Sequence, residues 1–408
     1  MNPDTPIELS VDRPAQGGRM IARDTTQAAP KGAGAIVLVS GAIPGERVLA
    51  RITERRHGVA FADTIEVLEA SPDRREPPYD PLCGGNLLAH ISYPRQIELK
   101  REILADAFRR QARLALEELP PITGSPETGY RMRARLHLTR GRLGFYRERS
   151  KDVCDAARTG QLSAGAAAVL TSAAAALEPY VDALEEVVLA ENAAATERVL
   201  HIAMKAGAPP MPDGVTNAIE GVLQGDVIEE RLPGGAVLQR HAASFFQANR
   251  FLLAPLVTKV CDAAGAGNIA DLFAGVGLFA AEAASRGAEV IAVESDPVSS
   301  RDLAKNISAF GLSARAVTAP VESWLAGRGS VPETVIVDPP RTGLSNEARR
   351  RLIDLKPEKL VYVSCDPVTL ARDVKEFLGG GYRLSHLEAL DLFPNTPHVE
   401  SIAVLLRP

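Results

Sequence analysis

The spacing of hydrophobic and polar positions changes character along the chain. From Ile7 to about Pro77, short β-branched runs such as Val48–Ile52 are broken by turn signals including Pro44-Gly45, which predicts short strands forming a small β-barrel over residues 1–72. The charged, proline-rich stretch Asp73–Pro78 marks a boundary. Ile97, Ile103, Leu104, Ala107, Phe108, Leu114 and Leu116 then recur at near-helical spacing, predicting an amphipathic helix over Arg95–Leu119. Tyr130–Leu138 alternates strictly, with Arg131, Arg133 and Arg135 on one face and hydrophobes on the other, the two-residue period of a strand. The alanine-rich segment Leu162–Ala195 reads as one or two helices. Together these give a central α+β domain over 73–240. From about His241 strands alternate with helices, the signature of an open parallel sheet in an α/β, Rossmann-like domain over 241–408.

At 408 residues the chain exceeds what one core usually organises, consistent with two or three domains. No apolar run approaches the roughly 18 residues of a membrane span, and Met1–Gly17 lacks a signal peptide's basic start and apolar stretch, so a cytoplasmic protein is expected. Cys83, Cys154, Cys261 and Cys365 show no CxxC spacing, which predicts free thiols rather than a disulfide framework or a zinc knuckle. The net charge of -5 excludes polyanion binding through the overall field, so any nucleic-acid contact needs local patches. One runs through Arg131, Arg133, Arg135, Arg140, Arg142, Arg147, Arg149 and Lys151, eight basic residues opposed only by Glu148. A second comprises Arg51, Arg55 and Arg56. The alternative for both is a solvated strand face with acidic partners.

Candidate chemistry lies in the last domain. Asn268–Ala280 reads as strand, glycine turn and helix start, with Gly275 and Gly277 letting the backbone approach a ligand. The next apolar run, Val290–Val293, ends in Glu294, a carboxylate at a strand end suited to ribose hydroxyls. This nucleoside-binding plan does not by itself separate a dinucleotide enzyme from a methyltransferase, because Gly275–Ala280 also fits the degenerate NAD fingerprint. Thr334–Arg341 carries Asp338 in an Asp-Pro-Pro-Arg turn beyond a buried strand, and Leu360–Pro367 places Cys365 at a strand tip before a helix from Val368. A helix start lowers a thiol's pKa and raises its thiolate fraction. Glu400 stands where a loop enters the run Ile402–Leu406, where partial burial would suit it to general-base work. His398 ranks second, as a hydrogen-bonding spacer. A thiolate and a base fit methylation at carbon 5 of uracil: addition at carbon 6 makes carbon 5 nucleophilic, and a base then removes its proton.

Phe245–Asn249, Asp271-Leu272-Phe273 with the glycine loop, Asp338–Gly343, Ser364–Pro367 followed by Thr369–Asp373, and Asp391–Ser401 together resemble the RNA uracil-5 methyltransferases, nearly end to end. The resemblance implies that S-adenosylmethionine is the cofactor, contacted by Gln247, Phe273, Glu294 and Asp338, with Cys365 as nucleophile and Glu400 as base. The barrel resembles a TRAM domain, an OB-like RNA-binding module, best over Gly41–Glu46, which favours 23S ribosomal RNA over tRNA as partner; monomer is the default. Two departures stand out. Leu278 occupies a position where the family often has Asn. Many members also bind a [4Fe-4S] cluster through Cys-x5-Cys-x2-Cys and a distant fourth cysteine, whereas here only Cys83 remains of the run, Pro77 and Asn86 flank it, and Cys154 lies near the fourth position. No iron–sulfur cluster is therefore expected, and Cys83 reads as a structural thiol inside the family's surrounding pattern of His90, Tyr93, Gln96 and Lys100. A nicotinamide-dependent oxidoreductase would leave Cys365 and the Asp-Pro-Pro-Arg turn without roles. An inactive RNA-binding relative is opposed by the presence of both catalytic residues.

Overall fold

The computed structural model describes residues 5–24, 36–147, 150–217, 219–327 and 331–408; Glu148 and Arg149 of the basic stretch lie outside them. The strands Ile7–Pro14, Met20–Asp24, Ile36–Ser40, Arg47–Arg56 and Val59–Glu69 close into a barrel. Alternate residues, among them Leu9, Val11, Val37, Val39, Val48, Ala60 and Ala62, fill its interior. Leu88, Ile91 and Leu99 join that core from outside the barrel, and a buried ion pair adds to the attachment. Glu46 accepts from the Arg74 guanidinium at 2.7 and 2.6 Å and from the Ile43 N–H at 2.9 Å. Burial pushes its carboxyl up, but Arg74 and the N–H groups outweigh this and hold it below its ordinary value. Arg51, Arg55 and Arg56 are exposed on the hairpin that turns at His57-Gly58.

The middle of the chain forms a five-stranded sheet in the order Arg198–Met204, Leu184–Glu191, Arg133–Thr139, Arg142–Tyr146 and Val153–Asp155. Helix Ala164–Leu177 covers one face, burying Ala166, Val169, Leu170 and Ala173 against Ala134, Leu136, Val187 and Leu189. Helix does not continue to Ala195 as the composition suggests: Leu184–Glu191 is a strand paired on both sides, where β-branched Val187 and Val188 fit a sheet better than a helix. The absence of any span-length apolar run is also corrected. Ala164–Ala183 is long and apolar enough by length and composition, with a mean hydropathy of 1.2, and its buried face is the one packed on the sheet.

Cys83 and Cys154 are joined as a disulfide, with Cα atoms 5.8 Å apart, where free thiols were expected. Seventy-one residues separate them, so spacing along the chain carries no sign of a meeting that tertiary structure creates. Cys261 and Cys365 are free.

Helix Tyr93–Ala107 continues as a wider turn over Phe108–Ala112 and stops at Arg113, whose φ of 55° is left-handed, well short of Leu119. It buries Leu104, Ala107, Phe108 and Ala112 in the core of the C-terminal sheet, although its position in the chain groups it with the central domain. Ile122–Thr123 even adds the outermost strand to that sheet. The sheet has eight strands, ordered Ala314–Thr318, Glu289–Glu294, Asn268–Leu272, Thr334–Val337, Lys359–Ser364, Glu400–Leu406, Arg383–Leu390 and Ile122–Thr123. Pairing is parallel as far as Lys359–Ser364, and Glu400–Leu406 then runs antiparallel to it. The strand order reverses between Asn268–Leu272 and Thr334–Val337, and ligands of such sheets bind in the crevice beyond the strand ends at this point.

Candidate active site

Leu272 pairs with Val293 on one side and Val337 on the other, so Phe273, Glu294 and Asp338 leave three neighbouring strands at the same level. Phe273, Gly275 and Gly277 take φ values of 63°, 56° and 95°. This conformation is costly for a bulky residue such as Phe273 and natural for glycine. No atom lies within 4 Å of where a Cβ on Gly275 would be, which leaves the loop open to a ligand. Glu294 braces it, accepting from the N–H groups of Gly275, Ser295 and Asp296 at 2.9, 2.6 and 2.7 Å. A carboxylate has roughly four acceptor positions, so capacity for a hydroxyl remains. Leu278 is buried in the apolar core at the helix start.

Next to this loop the structure gathers three acids, Asp271 and Glu400 buried and Asp338 half-buried. Asp271 is fully buried; its Oδ2 accepts the Ala280 N–H at 3.0 Å while its Oδ1 has no partner, and burial followed by Asp338 pushes its pKa well above the ordinary value. Asp338 accepts from Gln247 Nε2 at 3.3 Å and is pushed up to about 7 by burial. Glu400 is pushed well above its ordinary value by burial and then by Asp338, with Arg341 pulling the other way. Such a group of reluctant anions gains most from a nearby cation.

Antiparallel pairing of Ser364 with Ser401 sets the adjacent residues, Cys365 and Glu400, opposite one another at the strand ends. The helix start does not activate the thiol as expected. Burial, then Glu400, push Cys365 up to about 12, against the pull of Arg341. Asp366 adds a smaller push in the same direction: it caps the helix Pro367–Gly379, its carboxylate accepting the Val368 and Thr369 N–H groups at 2.9 Å, which sets negative charge beside the thiol at the positive end of the helix dipole. His398 is lowered to about 4, first by burial and then by Arg341; its Nε2 lies 3.5 Å from Arg341 Nη2 and its ring meets Phe393 edge-on.

Residues 330–408 match the family model described as tRNA (Uracil-5-)-methyltransferase. A protein of Alkalilimnicola ehrlichii named 23S rRNA (uracil(1939)-C(5))-methyltransferase RlmD is 31% identical over 99% of this chain and 97% of its own length. The chain belongs to the RNA uracil-5 methyltransferase family. A Chromohalobacter salexigens protein of the same name is 32% identical over 98% of this chain and 89% of its own. The solved Pyrococcus abyssi tRNA (uracil-54, C5)-methyltransferase, in complex with S-adenosyl-L-homocysteine, is similar in fold with a TM-score of 0.74 and 27% identity, over 98% of this chain and all of that one. The protein is thus an RNA (uracil-C5) methyltransferase using S-adenosylmethionine.

Within this family the crevice fits its cofactor: the open space at Gly275 and the unpartnered oxygen of Asp271 suit a ligand that is both bulky and cationic. An iron–sulfur cluster does not fit. Cys83 and Cys154 are bonded to each other, Pro77 and Asn86 supply no thiolate, and such clusters ordinarily need four. Arg341 and Asp271 stood inside motifs that marked the resemblance but were given no role of their own. Asp271 matters through its burial, and Arg341 through the positive charge it brings to Cys365 and Glu400, which only the fold reveals.

Proposed function

We propose that this enzyme methylates carbon 5 of a uracil in 23S ribosomal RNA, with Cys365 as the nucleophile and Glu400 as the base. The observation that carries the reading is the placement of a thiol opposite a buried carboxyl, across two paired strands at the mouth of the cofactor crevice. Glu294 would bind the ribose of S-adenosylmethionine, the Gly275–Gly277 loop would admit its backbone side, and Gln247, Phe273, Asp338 and Asp271 would line the remainder. Bound there, the cofactor supplies a positively charged sulfonium carrying an electrophilic methyl group.

Cys365 gives its proton to water and adds as the thiolate to carbon 6 of the uracil, which moves an electron pair onto carbon 5 and the neighbouring carbonyl oxygen. Carbon 5 would take the methyl group, the sulfur–methyl bond breaking with its electron pair left on the sulfur of S-adenosylhomocysteine. Glu400 then removes the carbon 5 proton; the electrons of that bond form the 5,6 double bond and the carbon–sulfur bond breaks, releasing Cys365. Glu400 is suited to this step because a carboxylate of raised proton affinity is a stronger base once ionised. Arg341, which favours the charged forms of both Cys365 and Glu400, offsets the negative charge that accumulates between them. His398, held neutral and next to Arg341, acts as a spacer.

Support for ribosomal RNA comes from end-to-end relatives named for 23S rRNA, and from the five-stranded barrel, read here as a TRAM-like module offering Arg51, Arg55 and Arg56 to RNA. Methylation of tRNA is the second reading, favoured by the similarity to the tRNA enzyme. Either substrate places the enzyme, acting as a monomer, in the cytoplasm. The deciding experiment supplies unmodified 23S rRNA or tRNA tritiated at uracil carbon 5, together with S-adenosylmethionine. Tritium release from rRNA by wild type, with none from Cys365→Ala or Glu400→Gln, is expected. Release from tRNA alone would replace the substrate, and release by Cys365→Ala would remove the nucleophile.

A further inference from the structure

The central sheet has one face covered by the helix Ala164–Leu177, and its other face carries Arg133, Arg135, His137, Arg142 and Tyr146. His137 pairs across the strands with Gly144, whose lack of a side chain leaves room beside the imidazole. Glycine is required there, since a Cβ would collide with the Cys154 carbonyl. Tyr146 uses the room: its ring lies against His137 with centroids 3.9 Å apart and planes inclined by 21°, while 45% of Tyr146 remains exposed. Its carbonyl accepts the Gly84 N–H at 3.1 Å, so the tyrosine is held at both backbone and ring. Burial and Arg135 keep the imidazole below its ordinary pKa, so a neutral aromatic pair faces outward near neutral pH.

A concavity of about 270 Å³ lined by Arg135, His137, Glu185 and Glu186 adjoins the pair. Arg135 pairs with Glu186 yet stays 63% exposed, and Arg142 is exposed at the start of its strand. The strand also points back to the catalytic loop. Arg131, just ahead of it, lies over the Phe393 ring at 5.6 Å, and six residues of strand carry the chain about 20 Å from there to His137, the reach of a few nucleotides.

We propose that His137 and Tyr146 form a stacking platform for an unpaired base flanking the target uracil, with Arg142 meeting the adjoining phosphate. The idea rests on the RNA-methylation reading and adds the place where the flanking strand is held. Unpaired bases stack readily on such rings, and arginine beside them supplies the charge. Glu185 and Glu186 disfavour phosphate in the concavity, which directs the base to that side and the backbone toward Arg142.

The test uses single-stranded RNA oligonucleotides containing one uracil, with fluorescent 2-aminopurine at each flanking position in turn. Wild type should quench the probe at one position. Tyr146→Ala should lose that quenching and bind about 10-fold more weakly, Tyr146→Trp should restore both, and S-adenosylhomocysteine affinity should be unchanged in each. Unaltered RNA affinity in Tyr146→Ala, failure of Tyr146→Trp to restore it, or equal affinity for the duplex form would overturn the platform. The two readings fail separately. Wild type that quenches but releases no tritium from any RNA sinks the reaction and leaves the platform. Full methylation by Tyr146→Ala sinks the platform alone.

Discussion

Lys100 and Asp391 form an ion pair from which water is excluded: Lys100 Nζ lies 2.5 Å from Asp391 Oδ1 and neither side chain has exposed surface. They join helix Tyr93–Ala107 to the start of the loop that leads to Glu400. Lys100 also donates to the Phe393 carbonyl at 3.1 Å, and the Tyr93 hydroxyl donates to Asp391 Oδ2 at 3.0 Å. One helical turn before Lys100, Gln96 exchanges two 2.9 Å hydrogen bonds with Asn395, whose φ of 63° marks the bend in the loop. The loop that leads to the proposed base is thus anchored by a helix from a distant part of the chain.

Lys100→Met leaves Asp391 buried without a counter-charge, at a cost of about 3–5 kcal/mol, which corresponds to a fall in Tm of roughly 10 °C. Well below that Tm, kcat should still drop by roughly 10²-fold with little change in KM, because a small displacement of a catalytic group is enough for such a loss. The double variant Lys100→Met with Asp391→Leu should recover Tm but not kcat. Wild-type kcat in the single variant would show that Glu400 does not depend on this anchor.

Cys365, pushed up to about 12, should behave as an almost fully protonated thiol while no RNA is bound. Its alkylation by iodoacetamide, followed on its own peptide by mass spectrometry, should rise about tenfold per pH unit from roughly pH 7 to 10 without levelling. A plateau near pH 8 would mean an ordinary or activated thiol, and would restore the helix-start activation that the sequence suggested.

The disulfide gives a direct count. Enzyme denatured without reductant should titrate two thiols, Cys261 and Cys365, and four after reduction, in keeping with one bond between Cys83 and Cys154. Four thiols before reduction would show the pair standing apart, and iron in the purified enzyme would reopen the question of a cluster.

What was legible along the chain was whatever depends on period. Tyr130–Leu138 alternates and Ala134 and Leu136 are indeed buried with Arg135 exposed; the Asn268–Glu294 run places its glycine loop and acid at one sheet edge because strand, turn and helix are local events. Leu184–Glu191 was hidden by neighbouring alanines, and the end of helix Tyr93–Ala107 by apolar residues that pack on the C-terminal sheet after the helix has stopped. Arginines that look alike in the alternating segment have different fates: Arg133 donates to the Ala242 and Ala243 carbonyls, Arg131 stacks on rings, and Arg135 faces Glu186. Charge in the site was the least legible, because the high proton affinity of Asp271, Asp338 and Glu400 arises from burial among residues far apart in sequence.

Glu294 offers the sharpest test of the cofactor crevice, since one carboxylate both braces the loop and offers acceptors to ribose. Glu294→Ala removes three N–H contacts and the hydroxyl acceptors together, and should weaken S-adenosylhomocysteine binding by about 10- to 100-fold in calorimetry, as loss of one charge-assisted hydrogen bond already costs about 1.5–3 kcal/mol. Glu294→Gln keeps the shape but turns an amide N–H₂ toward one of its N–H donors, whichever way the amide is flipped, so it should fall between wild type and alanine. RNA affinity should not change, because the proposed RNA contacts lie on the barrel and the central sheet. Cofactor affinity within twofold of wild type in the alanine variant would move the ribose away from Glu294, and with it the placement of the methyl group relative to Cys365.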